Sequence, residues 1–202
     1  MKNEKNKNKV IWKGTTLLAP VPPVLVGVGN GEKNNVFTVG WTGIINTRPP
    51  KTYISVHPDR YSYEFIKENG EFTINLPSCN LVASVDTCGV KSGRKIDKFK
   101  ETKLGYEKGE IINAPIITNC PINLECKVFE SIDLGSHTMF MADILNVHID
   151  ENLIDENGRL MIEKANLLAY AHGRYFSLGK SLMTFGQSVR KKKNNYGKKS
   201  SL

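Results

Sequence analysis

Residues 34–77, NNVFTVGWTGIINTRPPKTYISVHPDRYSYEFIKENGEFTINLP, constrain the fold more than any other part of the chain. Aromatic and β-branched residues over 35–42 spell a strand, and Gly40 inside it marks a place where something approaches the backbone closely. Pro49-Pro50 interrupts, and 52–56 is a further strand. A turn at His57-Pro58-Asp59-Arg60 leads into one amphipathic helix over 61–69, with Phe65 and Ile66 at helical spacing from Tyr61 and Ser62. Gly70 ends it in the usual C-terminal position, and 71–76 alternates as a strand. This order gathers backbone N–H groups, hydroxyls and one guanidinium without a general acid or base. Such an arrangement suits a polar, phosphate-bearing cofactor that brings its own chemistry.

The flanking sequence extends the β reading. After Pro20-Val21-Pro22-Pro23, the run VLVGVG over 24–29 reads as a buried strand, closed by a turn at Asn30-Gly31. Ser78 is placed to cap a second helix in which Leu81, Val82 and Val85 share a face. A polar loop over 89–105 holds a short helical segment around 96–101. Alternation returns over 122–129, where Ile122, Leu124, Cys126 and Val128 oppose Asn123, Glu125 and Lys127. The segment 138–149 is a strand whose alternation slips near Ile144-Leu145, the signature of a bulge. Asn157-Gly158 is a turn, and a polar patch, His172-Gly173-Arg174-Tyr175, sits within 167–177. Closely spaced strands joined by turns or single short helices predict a mainly β fold, an antiparallel barrel or sandwich. No G-x-G-x-x-G follows a strand and no P-loop pattern is present, so the common dinucleotide and triphosphate cradles are not expected.

Charge bears on partners. The chain carries a formal +8, but five Lys against one Glu lie in 1–13 and six Lys or Arg in 190–202. The body over 14–189 keeps 17 basic and 19 acidic residues and is nearly neutral. A nucleic-acid binder carries its basic footprint on the folded surface, so nucleic acid is not an expected partner. A cofactor-free barrel whose tails grip nucleic acid is the rival this balance disfavours. The domain organisation is therefore a basic flexible tail (1–13), one folded domain (14–189) and a second basic tail (190–202). No apolar run of about 18 residues suggests a membrane span, and no secretory pattern follows MKNEKNKNKV, so the expected address is cytoplasmic. Cys79, Cys88, Cys120 and Cys126 form no C-x-x-C pair and read as buried free thiols. The four histidines lack metal-ligand spacing, no G-x-S-x-G elbow is present, and no metal is assigned.

Six groups of residues, in order, resemble the flavin reductase-like family and flavoredoxins in particular. They are Pro22-Pro23; Asn35-x-x-Thr38 with Trp41, then Pro49-Pro50; Arg60-x-Ser62; Gly70-Glu71-Phe72 leading to Asn75-Leu76-Pro77; Ser92-Gly93-Arg94 with Asp97-Lys98-Phe99; and Gly135-Ser136-His137. The resemblance covers about residues 17–180. It implies a Greek-key split β-barrel that binds FMN non-covalently, a homodimer with the flavin near the subunit interface, and electron or hydride transfer through that flavin. NADH or NADPH, or a reduced partner protein, would supply the electrons. Many flavin reductases have Gly-Asp-His where this chain has Gly-Ser-His, a departure that touches the pyridine-nucleotide contact. An FMN-binding electron carrier without reductase activity is the alternative.

Chemistry and resemblance together give the candidate site. Arg60 can pair with a phosphate, and the Ser62 hydroxyl lies at a helix start beside free N–H groups. Asn35, Thr38, Val39, Gly40, Trp41 and Thr42 offer amides, hydroxyls and an aromatic surface to a flat ring with a polar edge. Ser55, Val56 and His57 follow on the next strand and turn. Lys98 would set a cation near the reduced ring, Phe99 would cover a ring face, and Ser92 belongs to the same loop. His137 is the candidate contact to nicotinamide and flavin, and Tyr175 borders the ring. Hydride transfer needs alignment more than an acid or base, in keeping with the missing triad.

Overall fold

The computed structural model describes residues 9–190. Most of both basic tails therefore lies outside the described residues. The chain runs β1 (Val24–Gly29), β2 (Asn34–Val39), β3 (Thr42–Thr47), β4 (Pro50–Val56), α1 (Ser62–Asn69) and β5 (Glu71–Leu76). It continues through α2 (Val82–Val90), α3 (Lys98–Thr102), the short strands β6 (Tyr106–Lys108) and β7 (Pro115–Ile117), and the long pair β8 (Ile122–Asp133) and β9 (Thr138–Ile149). A hairpin of β10 (Leu168–Ala171) and β11 (Arg174–Ser177) closes the fold.

Seven strands form one antiparallel sheet in the order β2-β1-β5-β8-β9-β4-β3. The chain leaves β2 at one edge and enters β3 at the other. Gly40 and Trp41 make that corner, so the expected strand over 35–42 is two strands with a break. Just past it the Ser55 N–H donates to the Trp41 carbonyl at 2.9 Å, extending the β3–β4 pairing back to the corner. The result is a split β-barrel.

Two apolar clusters fill it. Inside, Val26, Phe37, Ile54, Phe72, Cys126 and Phe140 pack with Ile66 from α1. On the other face of β1 and β2, Leu25 and Val36 meet Val85 and Cys88 of α2, Phe99 of α3, and Ile117. Strand β1 is thus buried on both faces, which is why it reads as an unbroken apolar run rather than an alternating one. Gly27 within it is required by a close crossing: a Cβ there would lie 2.1 Å from the Pro115 carbonyl oxygen.

The slip expected near Ile144-Leu145 is a β-bulge: Glu125 pairs with Asn146 and Cys126 with Ile144, leaving Leu145 unopposed. Gly70 closes α1 in the left-handed region (φ 63°), its N–H donating to Ile66. Ser78 does not cap α2. A 3-10 turn over Cys79–Leu81 comes first, and the Ser78 hydroxyl bonds the Asn80 side chain instead. Cys88, Cys120 and Cys126 are buried and free, and Cys79 is half-buried. Among the described residues, no helix is long and apolar enough to cross a membrane.

The polar side of β8 is covered as well. The segment bearing β6 and β7 lies over it, so Asn123 and Glu125 are buried despite the alternation. Glu125 accepts from the backbone N–H groups of Glu110, Ile111 and Ile112 and from Asn146, and its carboxylate lies 2.7 Å from His148 Nε2. Burial opposes its charge, but these bonds outweigh it and hold the carboxyl down at about 2. Glu110, Glu125 and His148 bring ligand-type atoms within 4.8 Å of one another. With Glu125 saturated by donors, the trio reads as the staple of this covering segment.

Candidate functional site

Two cavities meet at Arg60. The larger, about 600 Å³, opens beside the β2–β3 corner. The break between β2 and β3 positions Val39, Gly40 and Trp41 on its wall, and β4 adds Ser55 and Val56. His57, on the turn after β4, faces His137 from the β8–β9 turn with ring centroids 5.4 Å apart, edge to face. Tyr175 reaches in from β11; its hydroxyl donates to Asp86 of α2 at 3.3 Å. Burial and the neighbouring Asp86 carboxylate push that phenol up to about 12. The cavity thus has one wall of backbone and aromatic surface and another bearing two imidazoles.

A smaller cavity of about 330 Å³ adjoins it, sharing His57 and Arg60. Ser62, the first residue of α1, is buried here and accepts from Asn35 Nδ2 at 2.8 Å. Ser92 and Arg94 enter from the loop before α3, and Lys98 from its first residue. That loop lies directly on the barrel: a Cβ on Gly93 would stand 2.5 Å from Asn35 Oδ1 and 2.6 Å from Tyr61.

The electrostatics of this smaller cavity are one-sided. Arg60 donates Nη1 to the Gly89 carbonyl at 2.9 Å, and Lys98, only 4% exposed, donates Nζ to the Cys88 carbonyl at 2.7 Å. Neither has a carboxylate within ion-pair distance among the described residues. Asp59 lines the same cavity but points its carboxylate to solvent. Burial lowers the Lys98 ammonium to about 8, and nearby Arg60 pulls the same way. A buried ammonium with one neutral acceptor is costly unless an anion completes it. A phosphate group beside Arg60 and Lys98 is the chemistry this donor set fits.

The expected residues fall into place unevenly. Thr38, Val39, Gly40, Trp41, Ser55 and Val56 line the larger cavity, as do Tyr175 and His137. The Thr38 hydroxyl is already spent on the Val85 carbonyl. Asn35, Ser62, Ser92 and Lys98 gather at the smaller one, away from the ring wall. Lys98 therefore stands with Arg60 in the smaller cavity rather than beside Trp41. Thr42 lines neither cavity: it opens β3 and its hydroxyl donates to the Tyr53 carbonyl at 2.6 Å. Phe99 lines neither; it packs against Tyr106 with ring centroids 4.2 Å apart. Sequence reasoning missed Asp86 and Tyr170 on the larger cavity's wall. Asp86 sits on a helix whose turn-to-turn spacing carries no chemical signature, and only the β10–β11 hairpin brings Tyr170 and Tyr175 to it.

Fold and site together define a split barrel with one cavity walled by backbone and aromatic side chains and an adjoining cavity lined by unpaired cations. The flavin reductase like domain family matches residues 17–179, and the chain belongs to that family. It is a flavin-binding protein of the oxidoreductase class. Its fold is similar to the flavoredoxin of Desulfovibrio vulgaris (Miyazaki F), with a TM-score of 0.84 and 30% identity over 90% of this chain and 100% of that one. A flavoredoxin from Methanosarcina acetivorans gives a TM-score of 0.80 and 29% identity over 90% of this chain and 100% of that one. An uncharacterized protein of Archaeoglobus fulgidus is 33% identical over 64% of this chain and 73% of its own length.

Proposed function

We propose that the joined cavities hold FMN and that the protein passes electrons through it, taking them from NADH, NADPH or a reduced partner protein. The observation that carries this reading is the pair Arg60 and Lys98, two cations without a carboxylate partner among the described residues, lining the smaller cavity that adjoins the larger one. They would hold the phosphate, with the Ser62 and Ser92 hydroxyls beside it. The backbone over 39–41 would meet the polar edge of the ring, and Trp41 and Tyr175 would flank it. FMN, when bound, supplies the acceptance and return of electrons; the chain supplies position, exclusion of water and fixed charge. His57 and His137 face the cavity from one side, a place where an incoming nicotinamide can be aligned against the ring.

The likeness to flavoredoxins also supports the carrier form of this reading, in which a protein donor replaces the pyridine nucleotide. Stopped-flow mixing separates the two: bleaching of the flavin by NADH or NADPH alone assigns reductase activity, and bleaching only with a reduced protein assigns the carrier role. The protein is proposed to act as a homodimer. Ile44 and Ile45 on edge strand β3, and Leu182 and Phe185 beyond β11, present apolar side chains to solvent in the single chain. Absorption of the purified protein tests the cofactor: a visible flavin band, with FMN released on denaturation, is expected. Colourless protein that fails to take up added FMN would sink the proposal.

A further inference from the structure

The two ends of the chain share a property that the barrel between them lacks. Neither 5–31 nor 164–202 contains an Asp or a Glu, whereas 32–163 holds 19 acidic residues against 14 basic ones. The acid-free ends also carry the cation clusters, five Lys in 1–13 and six Lys or Arg in 190–202. Charge is therefore separated along this chain and not merely in excess.

Large apolar side chains stand in solvent among these cations. Every residue over 9–20 is exposed, as is every residue over 176–190 except Gly186. Val10, Ile11 and Trp12 lie between Lys9 and Lys13, and Trp12 is 67% exposed. Leu182, Met183, Phe185 and Val189 lead up to Arg190, and Leu182 is 98% exposed. A single exposed apolar residue needs no explanation, but a run of them beside a cation cluster marks an interaction surface.

The fold brings both runs to one element. Val21 exchanges backbone hydrogen bonds of 2.8 and 2.9 Å with Tyr170 of β10. On the other side of β10, Ser177 at the end of β11 pairs with Leu168. The N-terminal run therefore enters, and the C-terminal run leaves, along segments that flank one strand, about 10 Å apart at strand spacing.

We propose that these two runs form one docking surface for an anionic lipid bilayer, lying on it without crossing it. The apolar side chains would enter the headgroup boundary, the preferred depth of Trp, and the lysines would pair with lipid phosphates. Stable attachment takes two signals, and each run carries an apolar one and a basic one. The acid-rich body would face water, away from the like charge of the lipid. Nucleic acid would engage the cations but leave Val10, Ile11, Leu182 and Met183 in water. A second copy aligned on the same runs would cover the apolar side chains but set cations against cations. The homodimer proposed above can still form through Ile44 and Ile45 of β3. This surface stands apart from the flavin reading, and neither depends on the other.

The test is co-sedimentation of the full chain with vesicles of phosphatidylcholine alone and of phosphatidylcholine mixed with phosphatidylglycerol. Binding is expected with the mixed vesicles only, weakening as salt rises and accompanied by a shift of tryptophan emission to shorter wavelength. Trp12→Ser should remove that shift. Replacing Val10, Ile11 and Trp12 together by Ser should weaken binding about ten-fold or more, and so should replacing Leu182, Met183 and Phe185. Because these side chains are exposed in the folded chain, the urea midpoint of both variants should stay unchanged. Equal binding to the two vesicle types, no binding to either, or unchanged affinity in both variants would overturn the proposal. Displacement of bound vesicles by duplex DNA at lower concentration would overturn it in favour of nucleic acid. A dimer that the same substitutions split, with no lipid bound, would overturn it in favour of a second copy.

Discussion

Among the charged side chains buried in this barrel, Glu125 and Lys98 are treated in opposite ways. Glu125 on β8 is met by three backbone amides, an asparagine and an imidazole. Lys98, ahead of the barrel's second cluster, has one carbonyl. A fully satisfied buried charge fixes structure, since every neighbour loses a partner if it goes. A charge left short of partners beside a cavity is held in readiness for a ligand. The comparison sets β8 and its covering segment down as architecture and supports the binding role proposed for the cavity at Arg60 and Lys98.

Substitutions at the two places should separate cleanly. Glu125→Leu strands several donors and is expected to cost about 3–5 kcal/mol in urea unfolding. The folded fraction should keep its affinity for FMN; loss of FMN binding at unchanged stability would break the distinction. Lys98→Met should leave stability unchanged or raise it by about 1 kcal/mol, because an unpaired buried ammonium is removed. Both Lys98→Met and Arg60→Ala should weaken FMN by about ten-fold to a hundred-fold, or 1.4–2.7 kcal/mol. His137→Ala should retain FMN and slow reduction by NADH or NADPH by about ten-fold through lost alignment. An unchanged stopped-flow rate would remove His137 from electron transfer.

The same two groups should differ in pH response. Glu125 is held at about 2 in the folded chain, below an unfolded value of about 4.3. Its contribution to stability is therefore present above about pH 4.5 and fades as pH falls toward 2. Lys98 is held at about 8, below an unfolded value of about 10.4. Between those values the unfolded chain binds more protons, so flavin-free protein should gain stability as pH rises. FMN should bind less tightly over that interval as the ammonium is lost. In Lys98→Met both alkaline trends should flatten, as read by thermal unfolding and flavin fluorescence.

Much of the barrel was legible because its signals are local. Gly70 after an amphipathic helix, alternation over Glu71–Leu76 and the slip at Leu145 each report a backbone event where they occur. Less legible was anything that depends on what lies across from a strand. The alternation in β8 says that its two faces differ, not that one is wet, and only the segment of β6 and β7 puts Glu125 out of water. Gly40 signalled a close approach, but that the chain turns there follows from β3 pairing with β4 instead of continuing beside β1. Arg60 and Ser62 stood out as phosphate-anchor candidates only once the flanking motifs were added to their place before a helix. Lys98 was expected near the ring, because nothing in a run of charged residues shows that folding buries this lysine beside Arg60 and against the Cys88 carbonyl. Asp86 and Tyr170 reach the cleft through tertiary packing alone.

The central claim is that Arg60 and Lys98 are present for a flavin's phosphate. Comparing the dissociation constants of riboflavin and FMN for the flavin-free protein tests it most directly, since the two ligands differ only in that group. FMN should bind at least about ten-fold more tightly, and the advantage should shrink toward unity when both cations are replaced. Equal affinities for the two ligands in the unaltered protein would contradict the account.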